Sequence, residues 1–593
     1  MKWLLLLIPI AAIEGRLRRS RDPVVRRNQN EIHPNLEALS STMANCTAAG
    51  WSSVINGITY PWKTGTFNAR VDHFTYSDSR TFEMVYFVSG CYYQPGGPIF
   101  LYTGNEGYLL DFALNTGIIW DLAPLFNASI IFVEHRFYGK SMPFGNESYS
   151  SLHNLGYLSA DQALADYADF LIQLKTRDNG MPIYYDDDTP VIAFGGSYGG
   201  DLAAWIRMKY PHLVTGAWAS SAPLRYFFNS GVSYGAFENT VTNDYVNAGS
   251  NLYILENWWQ AILRLAKTVS GRNFLNSHMN LDPRTPIRKE NDGWNLVYFI
   301  KESFDYMAMI DYPYPASFLA PLPGFPVDVA SQFMNSPGQS FTDEDLAMMG
   351  YNASQVYYNY TGMGAPYCID YTICGDTGTA TLGDAMGWPW QECSEIITPE
   401  CSTGPPNDMF WDACGKNLTI ELASNCAYYF GALGWNNKIW NVRGIETRYG
   451  LKLKGHSNLI LTQGALDPWS GGGYQPGASG ATSENGIYVV KMEGAAHHLD
   501  LRTPNTCDPI QVTNMRYQIV NILMGWINGN IQNYVLTPLP YWDKSTYNAT
   551  ECQDVNFGYP WGQSDPIPST ASSSTPNPST TIVSSNIPCT PSQ

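Results

Sequence analysis

The chain has 593 residues, a formal net charge of −18 at pH 7 and a sequence pI near 4.9. Its hydrophobic fraction of 44% excludes a mainly disordered protein, and its length suits a large catalytic core with an insertion or a second domain. The acidic balance disfavours nucleic acid and anionic membranes as partners.

The N-terminus predicts entry into the secretory pathway, and therefore a secreted or lysosomal protein. Residues 1–15 combine a charged start, an apolar run and small residues near a cleavage point, which is the pattern of a signal peptide. The run is too short to span a bilayer and no other segment is long enough, so no membrane span is expected. Residues 16–59 are interpreted as an N-terminal extension or propeptide, because their Arg-rich start offers dibasic processing points. A nucleic-acid patch is the alternative, and it suits a secreted chain less well.

The glycosylation sequons and the cysteines also agree with entry into the secretory pathway. The sequence predicts N-glycosylation at seven Asn-x-Ser/Thr sites: Asn45, Asn127, Asn146, Asn352, Asn359, Asn417 and Asn548. More than half of the eleven cysteines lie between residues 368 and 426, which predicts a local disulfide framework. A zinc site is the alternative, but no Cys-x-x-Cys pair or suitably spaced His is nearby, so no metal is expected. Because the count is odd, at least one thiol is free or pairs between chains, and a homodimer is compatible with the sequence.

Residues 60–215 alternate short apolar runs with longer amphipathic ones. Strands are predicted at 82–88, 98–102, 129–133 and 190–194, and helices at 159–175 and 200–210. Strands that alternate with helices predict a mostly parallel sheet covered on both faces. This segment is therefore the expected first part of an α/β core.

The pentad Gly-Gly-Ser-Tyr-Gly at 195–199 lies between a predicted strand and a predicted helix. A Gly-x-Ser-x-Gly pentad is a weak motif alone, and this context gives it the meaning of a nucleophile turn that exposes the hydroxyl of Ser197. The Tyr198 N–H and the helix N-terminus then face the oxygen that becomes negative in a tetrahedral intermediate. A second oxyanion donor is expected at Asn105, in the loop after strand 98–102. A serine that merely caps the helix is the alternative.

The rest of the chain divides into three further segments. Residues 216–445 are aromatic-rich, are helical around 253–269 and 294–307, and contain the cysteine cluster, so they predict a helical cap domain. The sheet pattern returns in 446–562, with strands at 458–462 and 486–491 and a helix at 509–526. Residues 563–593 are rich in Ser, Thr and Pro and are predicted to be disordered.

A nucleophilic serine needs a base and an orienting acid, in the chain order Ser, Asp or Glu, His. Asp467 follows the strand at 458–462, at the sheet edge where α/β proteins gather functional groups. The pair His497-His498 follows the next strand, and sequence physics does not choose between the two imidazoles. Asp500 is a local alternative to Asp467, with a less favourable position.

Several blocks together resemble one family, the serine peptidases that include lysosomal Pro-X carboxypeptidase, dipeptidyl peptidase II and thymus-specific serine protease. The resemblance implies an α/β-hydrolase core with a helical cap and no metal or cofactor. It matches Ser197, Asp467 and His497 to the family's triad, and it implies that Trp469 lines the substrate pocket. The blocks, in the family's order, are 71–74, 97–107, 134–139, 195–212, 466–472 and 494–502.

The resemblance implies a peptide substrate cleaved near one end, after proline or a small residue, by acyl transfer through Ser197. Carboxypeptidase and dipeptidyl aminopeptidase action both stay open. An esterase or lipase on the same fold is a rival, and so is a secreted binding glycoprotein that has lost catalysis.

One residue departs from the family pattern. Asp201 stands four residues after Ser197, where Pro-X carboxypeptidase and dipeptidyl peptidase II have Met. If it faces the pocket, a carboxylate there disfavours a proline ring and favours a basic or polar group. The alternative is an acidic residue that only complements the dipole of the helix.

Overall fold

In this computed structural model the described residues are 45–176, 180, 182–362, 364–370, 373, 386–415, 418–529, 534–544 and 552–555. The predicted signal peptide, the first part of the N-terminal extension and the Ser/Thr/Pro-rich tail lie outside them. So do the predicted glycosylation sites Asn417 and Asn548, and Cys374 and Cys589.

A twisted eight-stranded sheet organises the described part of the chain. Its strand order is β10-β9-β8-β7-β5-β6-β4-β3, with parallel pairing except where β4 meets β3 and β6. A short hairpin of β1 and β2 precedes it. The strands are β1 Ser53–Ile55, β2 Ile58–Tyr60, β3 Lys63–Arg70, β4 Thr81–Ser89, β5 Ile99–Thr103, β6 Ser129–Val133, β7 Val191–Gly196, β8 Gly216–Ser220, β9 Leu459–Gly464 and β10 Ile487–Met492.

Helices cover both faces of the sheet and form most of the segment between β8 and β9. They are α1 Leu109–Asn115, α2 Gly117–Phe126, α3 Leu152–Leu155, α4 Ala160–Leu174, α5 Tyr198–Lys209, α6 Ala236–Asn247, α7 Leu252–Lys267, α8 Val269–His278, α9 Asp292–Met309, α10 Pro326–Ser331, α11 Asp343–Tyr358, α12 Gly387–Glu392, α13 Leu418–Phe430, α14 Gly444–Tyr449 and α15 Ile510–Ile527.

The central strands are buried on both faces, which explains their continuous apolar runs. All residues of β5, β6, β7 and β8 are buried, and separate apolar clusters pack on the two faces of the sheet. Parallel strands covered by helices on both faces need this composition. The architecture confirms the predicted α/β fold class, and the predicted strands and helices match observed ones within a few residues.

Two strands of the sheet were not predicted. The edge strand β3 alternates exposed and buried positions near its end, and β8 has the sequence Gly-Ala-Trp-Ala-Ser. Gly and Ala have low β-propensity, but Gly216 has no room for a side chain. A Cβ atom on Gly216 would lie 2.3 Å from the Trp526 ring.

Disulfides secure the segment between β8 and β9 and the two ends of the described chain. Cys393–Cys426 and Cys401–Cys414 confirm the predicted local framework, and Cys368 is also disulfide-bonded. Cys46–Cys91 and Cys507–Cys552 each close a loop with a sequence separation of 45. Bonds that close loops stabilise a fold mainly by restricting the unfolded chain.

Within the described residues, no single helix has the length and apolar composition needed to cross a bilayer. Only α1 and α2 together reach that composition, and they are bent by 64° at the break between them.

Candidate active site

Ser197 lies at the sharp turn between β7 and α5. Its backbone has φ 57° and ψ −130°, a strained conformation for a residue with a side chain. The turn is tight enough that a Cβ atom on Gly195 would lie 2.0 Å from the Gly199 carbonyl oxygen. The Ser197 N–H donates to the Ser220 carbonyl of β8 at 3.0 Å, which fixes the turn against the sheet. These contacts hold the serine at the carboxyl edge of the sheet, beside a cavity that it lines.

The loop after β5 is tied to this turn by the side chain of Asn105. Its Nδ2 donates to the Gly196 carbonyl at 2.8 Å, and its Oδ1 accepts from the Tyr102 hydroxyl at 2.8 Å. Asn105 and Tyr198 both line the cavity with Ser197. Because Tyr198 is the first residue of α5, its backbone N–H has no acceptor within the helix. The two residues expected to stabilise an oxyanion therefore lie next to the serine.

The Tyr198 side chain is held by a buried polar network on the other side of the turn. Its hydroxyl is 3.0 Å from His135 Nε2 and accepts from Gln391 Nε2 at 2.8 Å. Gln391 in turn accepts from the Tyr138 hydroxyl at 2.6 Å. Burial lowers the pKa of His135 to about 4, so its ring is neutral. This network gives the sequence block 134–139 a positioning role.

Arg136 links two of the sequence blocks that carry the family resemblance. Its fully buried guanidinium donates to both Asp166 oxygens, at 2.7 Å and 2.6 Å, and to the Val71 carbonyl at 2.8 Å. His73 Nε2 lies 2.7 Å from the same Asp166 carboxylate. A bidentate, fully paired guanidinium is a structural anchor, and here it joins block 71–74 to block 134–139.

Asp467 and His497 form a buried pair at the ends of β9 and β10. His497 Nδ1 lies 2.9 Å from Asp467 Oδ1, which also accepts the Trp469 N–H at 3.0 Å. The His497 backbone is fixed from the inserted segment, since its N–H donates to the Met309 carbonyl at 2.9 Å and its carbonyl accepts from the Tyr312 hydroxyl at 2.9 Å. Asp467 lies in the core, and His497 lines the cavity.

The other two candidates have different surroundings. The ring of His498 packs against the nucleophile turn, where a Cβ atom on Gly196 would lie 2.9 Å from its Cγ. Burial and the adjacent His497 hold the pKa of His498 well below its usual range. Asp500 accepts hydrogen bonds from Trp218, Ser220 and Thr462, so its carboxylate joins β8 and β9. Of the acid and histidine candidates that the sequence left open, the structure therefore pairs Asp467 with His497.

The cavity beside Ser197 has a volume of about 230 Å³ and also contains both predicted pocket residues. Trp469 lines one wall, with Nε1 3.2 Å from Met309 Sδ and its ring edge-on to Phe237 at 5.1 Å. Asp201 lines the cavity from the first turn of α5 and is 1% exposed. The wall is mainly aromatic and apolar, which is typical of a site for an organic ligand.

Glu106 is a cavity residue that sequence reasoning did not single out. Its Oε2 is enclosed and has no hydrogen-bond partner within the described structure. Burial raises the pKa of Glu106 to about 7. Its position next to Asn105 was the available signal, because the loop after this strand was already expected to contribute to the site.

Three predicted glycosylation sites, Asn45, Asn127 and Asn146, are exposed. Asn352 and Asn359 are half-buried. Glycosylation at all seven sequons stays a prediction.

Comparison with known proteins decides the family. The profile of the serine carboxypeptidase S28 family matches residues 69–519, which include Ser197, Asp467 and His497. The chain belongs to this family. Membership in S28 confirms the predicted family and makes the chain a serine exopeptidase with peptide substrates.

Several S28 relatives align with most of the chain. "Putative serine protease pcp-1" of Caenorhabditis elegans is 53% identical over 501 residues, which are 84% of this chain and 88% of that protein. "Prolyl carboxy peptidase like protein 5" of the same organism is 41% identical over 475 residues, or 80% and 92% of the two chains. Human lysosomal Pro-X carboxypeptidase is 39% identical over 464 residues, or 78% and 87%.

Proposed function

We propose that this S28 peptidase removes residues from the C-terminal end of peptides by an acyl-enzyme mechanism with Ser197 as nucleophile. The observation that carries the proposal is the buried Asp467–His497 pair, which shares one cavity edge with a serine on a strained strand-to-helix turn. Ser197 and His497 line the same cavity, and Asp467 contacts His497 from the core. The family description and the relatives named Pro-X carboxypeptidase support carboxypeptidase rather than dipeptidyl aminopeptidase action.

The mechanism follows from the donors and acceptors. A carboxylate only accepts hydrogen bonds, so the proton of His497 is on Nδ1, facing Asp467, and Nε2 is the basic nitrogen. His497 Nε2 takes the Ser197 proton as the hydroxyl attacks the peptide carbonyl, then gives that proton to the leaving amine. The N–H groups of Tyr198 and Asn105 stabilise the oxyanion, and water hydrolyses the acyl-enzyme.

The finer part of the proposal is which residue the enzyme prefers on the acyl side of the scissile bond. The names of the relatives support proline there, whereas Asp201 in the cavity wall favours a basic or polar side chain. The disulfides and the lysosomal relatives support a protein of the secretory pathway, secreted or lysosomal.

The test uses two peptide sets across a range of pH, one blocked at the N-terminus and one amidated at the C-terminus. We expect cleavage of the N-blocked set and no cleavage of the amidated set, because a carboxypeptidase needs a free C-terminus. Ser197→Ala should lower kcat by about 10⁶-fold, as removal of a triad serine does elsewhere. It should also abolish labelling by a fluorophosphonate without changing Tm.

Ser277→Ala is the matched control, because it removes an exposed hydroxyl outside the cavity. Cleavage of only the amidated peptides would favour a dipeptidyl aminopeptidase. Hydrolysis of acyl esters without peptide cleavage would favour an esterase, and no labelling of the wild type at any pH would point to an inactive binding glycoprotein.

A further inference from the structure

The carboxylate of Asp201 is buried, and one of its oxygens lacks a hydrogen-bond donor among the described residues. It is 1% exposed, and its Oδ1 is enclosed without a hydrogen-bond partner in the described structure. Its backbone N–H donates to the Ser197 carbonyl at 3.0 Å, so the residue lies one helical turn, about 6 Å, beyond the nucleophile. The α5 dipole favours a negative charge at this position, but a dipole supplies no hydrogen to an enclosed oxygen.

A second carboxylate faces the same space. Glu106 also has one enclosed oxygen without a partner in the described structure, and burial, with the nearby Glu106 as a second cause, raises the pKa of Asp201 well above its usual range. Two acidic groups from separate elements, the β5 loop and the start of α5, therefore line the cavity beside Ser197, and each has an oxygen left unpaired by the described part of the chain.

The cavity wall supplies no free cation to these groups. Among its described residues Lys301 is the one Lys or Arg, and its Nζ is held by Glu238 at 2.6 Å and Asp305 at 3.0 Å. The carboxylic acids of the described wall are Glu106, Asp201, Glu302, Asp305, Glu392 and Glu400. Burial favours the protonated forms of Glu106 and Asp201 in the free enzyme by raising the pKa of each, and a positively charged ligand would stabilise their ionised forms.

We propose that Asp201, together with Glu106, forms a subsite that binds a protonated amine or guanidinium of the substrate, supplied by a Lys or Arg side chain on the acyl side of the scissile bond. This inference rests on the proposed function, because it places the substrate carbonyl at Ser197. The long side chain of that residue spans the one-turn distance from the nucleophile to Asp201. The α-amine of the same residue is only two bonds from the attacked carbonyl carbon, so it stays close to Ser197 instead.

A cation in the subsite changes which substrates are favoured. Charge-assisted hydrogen bonds to Lys or Arg give both carboxylates their missing donors and stabilise their ionised forms. A proline ring carries no donor and leaves both oxygens enclosed and unpaired. A site with buried polar groups discriminates strongly against ligands that leave those groups unmet.

The experiment compares N-blocked dipeptides that end in Phe and differ in the acyl residue: Lys, norleucine and Pro. Norleucine has the chain length of Lys without the charge. For the wild type at pH 7.5 we expect kcat/KM for Lys to exceed that for norleucine at least tenfold. Asp201→Asn keeps the shape and removes the charge, so the ratio should fall at least fivefold, and Glu106→Gln should lower it in the same direction.

Glu344→Gln is the control, because it removes an exposed acidic residue from the first turn of α11, outside the cavity. It should keep the Lys-to-norleucine ratio. Fluorophosphonate labelling and Tm show whether each variant is folded, and the wild-type ratio tests the inference without any variant.

Equal or slower cleavage after Lys than after norleucine by the wild type would overturn the inference while the peptidase function stands. If removing the N-terminal block accelerates all three substrates and the blocked Lys and norleucine peptides are equal, the α-amine is the bound cation and the side-chain assignment is wrong. Failure to cleave any substrate would instead count against the proposed function.

Discussion

Asp467 Oδ1 serves two donors, the His497 ring and the Trp469 N–H, which makes this carboxylate both an orienting group and a cap for the turn at residues 468–472. The ring of His498 lies tilted against that of His497 with centroids 4.3 Å apart, and the backbone N–H of His498 donates to Ser221 Oγ at 2.8 Å. Two adjacent imidazoles thus have different partners. Only one of them has the carboxylate that a catalytic base needs.

Because of this difference, the same substitution at His497 and at His498 should have unequal effects on kcat/KM. His497→Gln should lower kcat/KM by about 10⁶-fold, because the triad loses its base. His498→Gln should cause a much smaller loss, because that ring packs against the turn at Gly196 and has no carboxylate partner. Cleavage of an N-blocked peptide and the rate of fluorophosphonate labelling measure both effects. The assignment is wrong if the folded His498→Gln protein is the inactive one and His497→Gln is active.

At the scale of elements, the C-terminal end of α9 supports the base. Met309 accepts the His497 N–H and contacts Trp469, while Tyr312 donates to the His497 carbonyl. Both supporting residues belong to the segment between β8 and β9, whereas His497 follows β10. The segment between β8 and β9 therefore fixes the backbone of His497, the proposed base, and also lines the cavity.

Tyr312→Phe should weaken this support. The change leaves a buried carbonyl without its donor, which costs about 1–3 kcal/mol, and it keeps the ring that stacks on Arg502 at 4.5 Å. We expect a lower Tm and a kcat reduced by up to about tenfold, since 1.4 kcal/mol in the barrier is a factor of ten. KM should change little, because Tyr312 is not among the cavity residues.

Tyr360→Phe provides the comparison, since Tyr360 is 53% exposed. Thermal unfolding and steady-state kinetics of both variants test the role of α9. An unchanged kcat in Tyr312→Phe would show that this hydrogen bond does not position His497.

The elements also show which features a sequence reveals. The strands at 129–133 and 190–194 were predictable because burial on both faces requires unbroken apolar runs. The strand Gly216–Ser220 was not, because Gly and Ala have low β-propensity and Gly216 is required by its close packing against Trp526. Asp467 was placed by strand order, but the choice of His497 over His498 had to come from the family resemblance, because chain order alone does not show which ring faces the carboxylate. Glu106 and Asp201 could not be paired from the sequence, because only the fold brings both carboxyl groups to one cavity.

At the scale of the whole molecule, several buried carboxyl groups have raised pKa values. Burial raises the pKa of Asp121, Asp311 and Glu395 to about 7 each. These side chains are 6%, 2% and 5% exposed, so the folded protein disfavours their charged forms. Each group keeps its proton in the folded state at a pH where the unfolded chain has already lost it.

The expected result is a protein that is more stable in acid than at alkaline pH. Between about pH 4 and pH 7 the folded state binds more protons than the unfolded state at these groups, so the free energy of unfolding falls as pH rises through this window. Buried His135, with a pKa of about 4, and His498, whose pKa is also lowered, act in the opposite direction below about pH 6.5, but the carboxyl groups outnumber them.

Thermal unfolding at pH 5 and pH 8 in the same salt measures this dependence. Repeating it at high ionic strength removes most of the effect of surface charge and leaves that of the buried groups. A higher Tm at pH 8 than at pH 5 under both conditions would contradict the expectation.

Biosynthesis is affected by the order of the proposed triad along the chain. His497, which is held by its hydrogen bond to Met309, is the last of the three residues to be synthesised. Ser197 leaves the ribosome 300 residues before His497. At typical elongation rates that interval lasts about 15 to 60 s, and throughout it Ser197 lacks its proposed base, His497. Under the proposed mechanism, Ser197 therefore stays without its base until almost all of the sheet has been synthesised. On that mechanism, proteolytic competence requires the last strand of the sheet, which immediately precedes His497 in the chain.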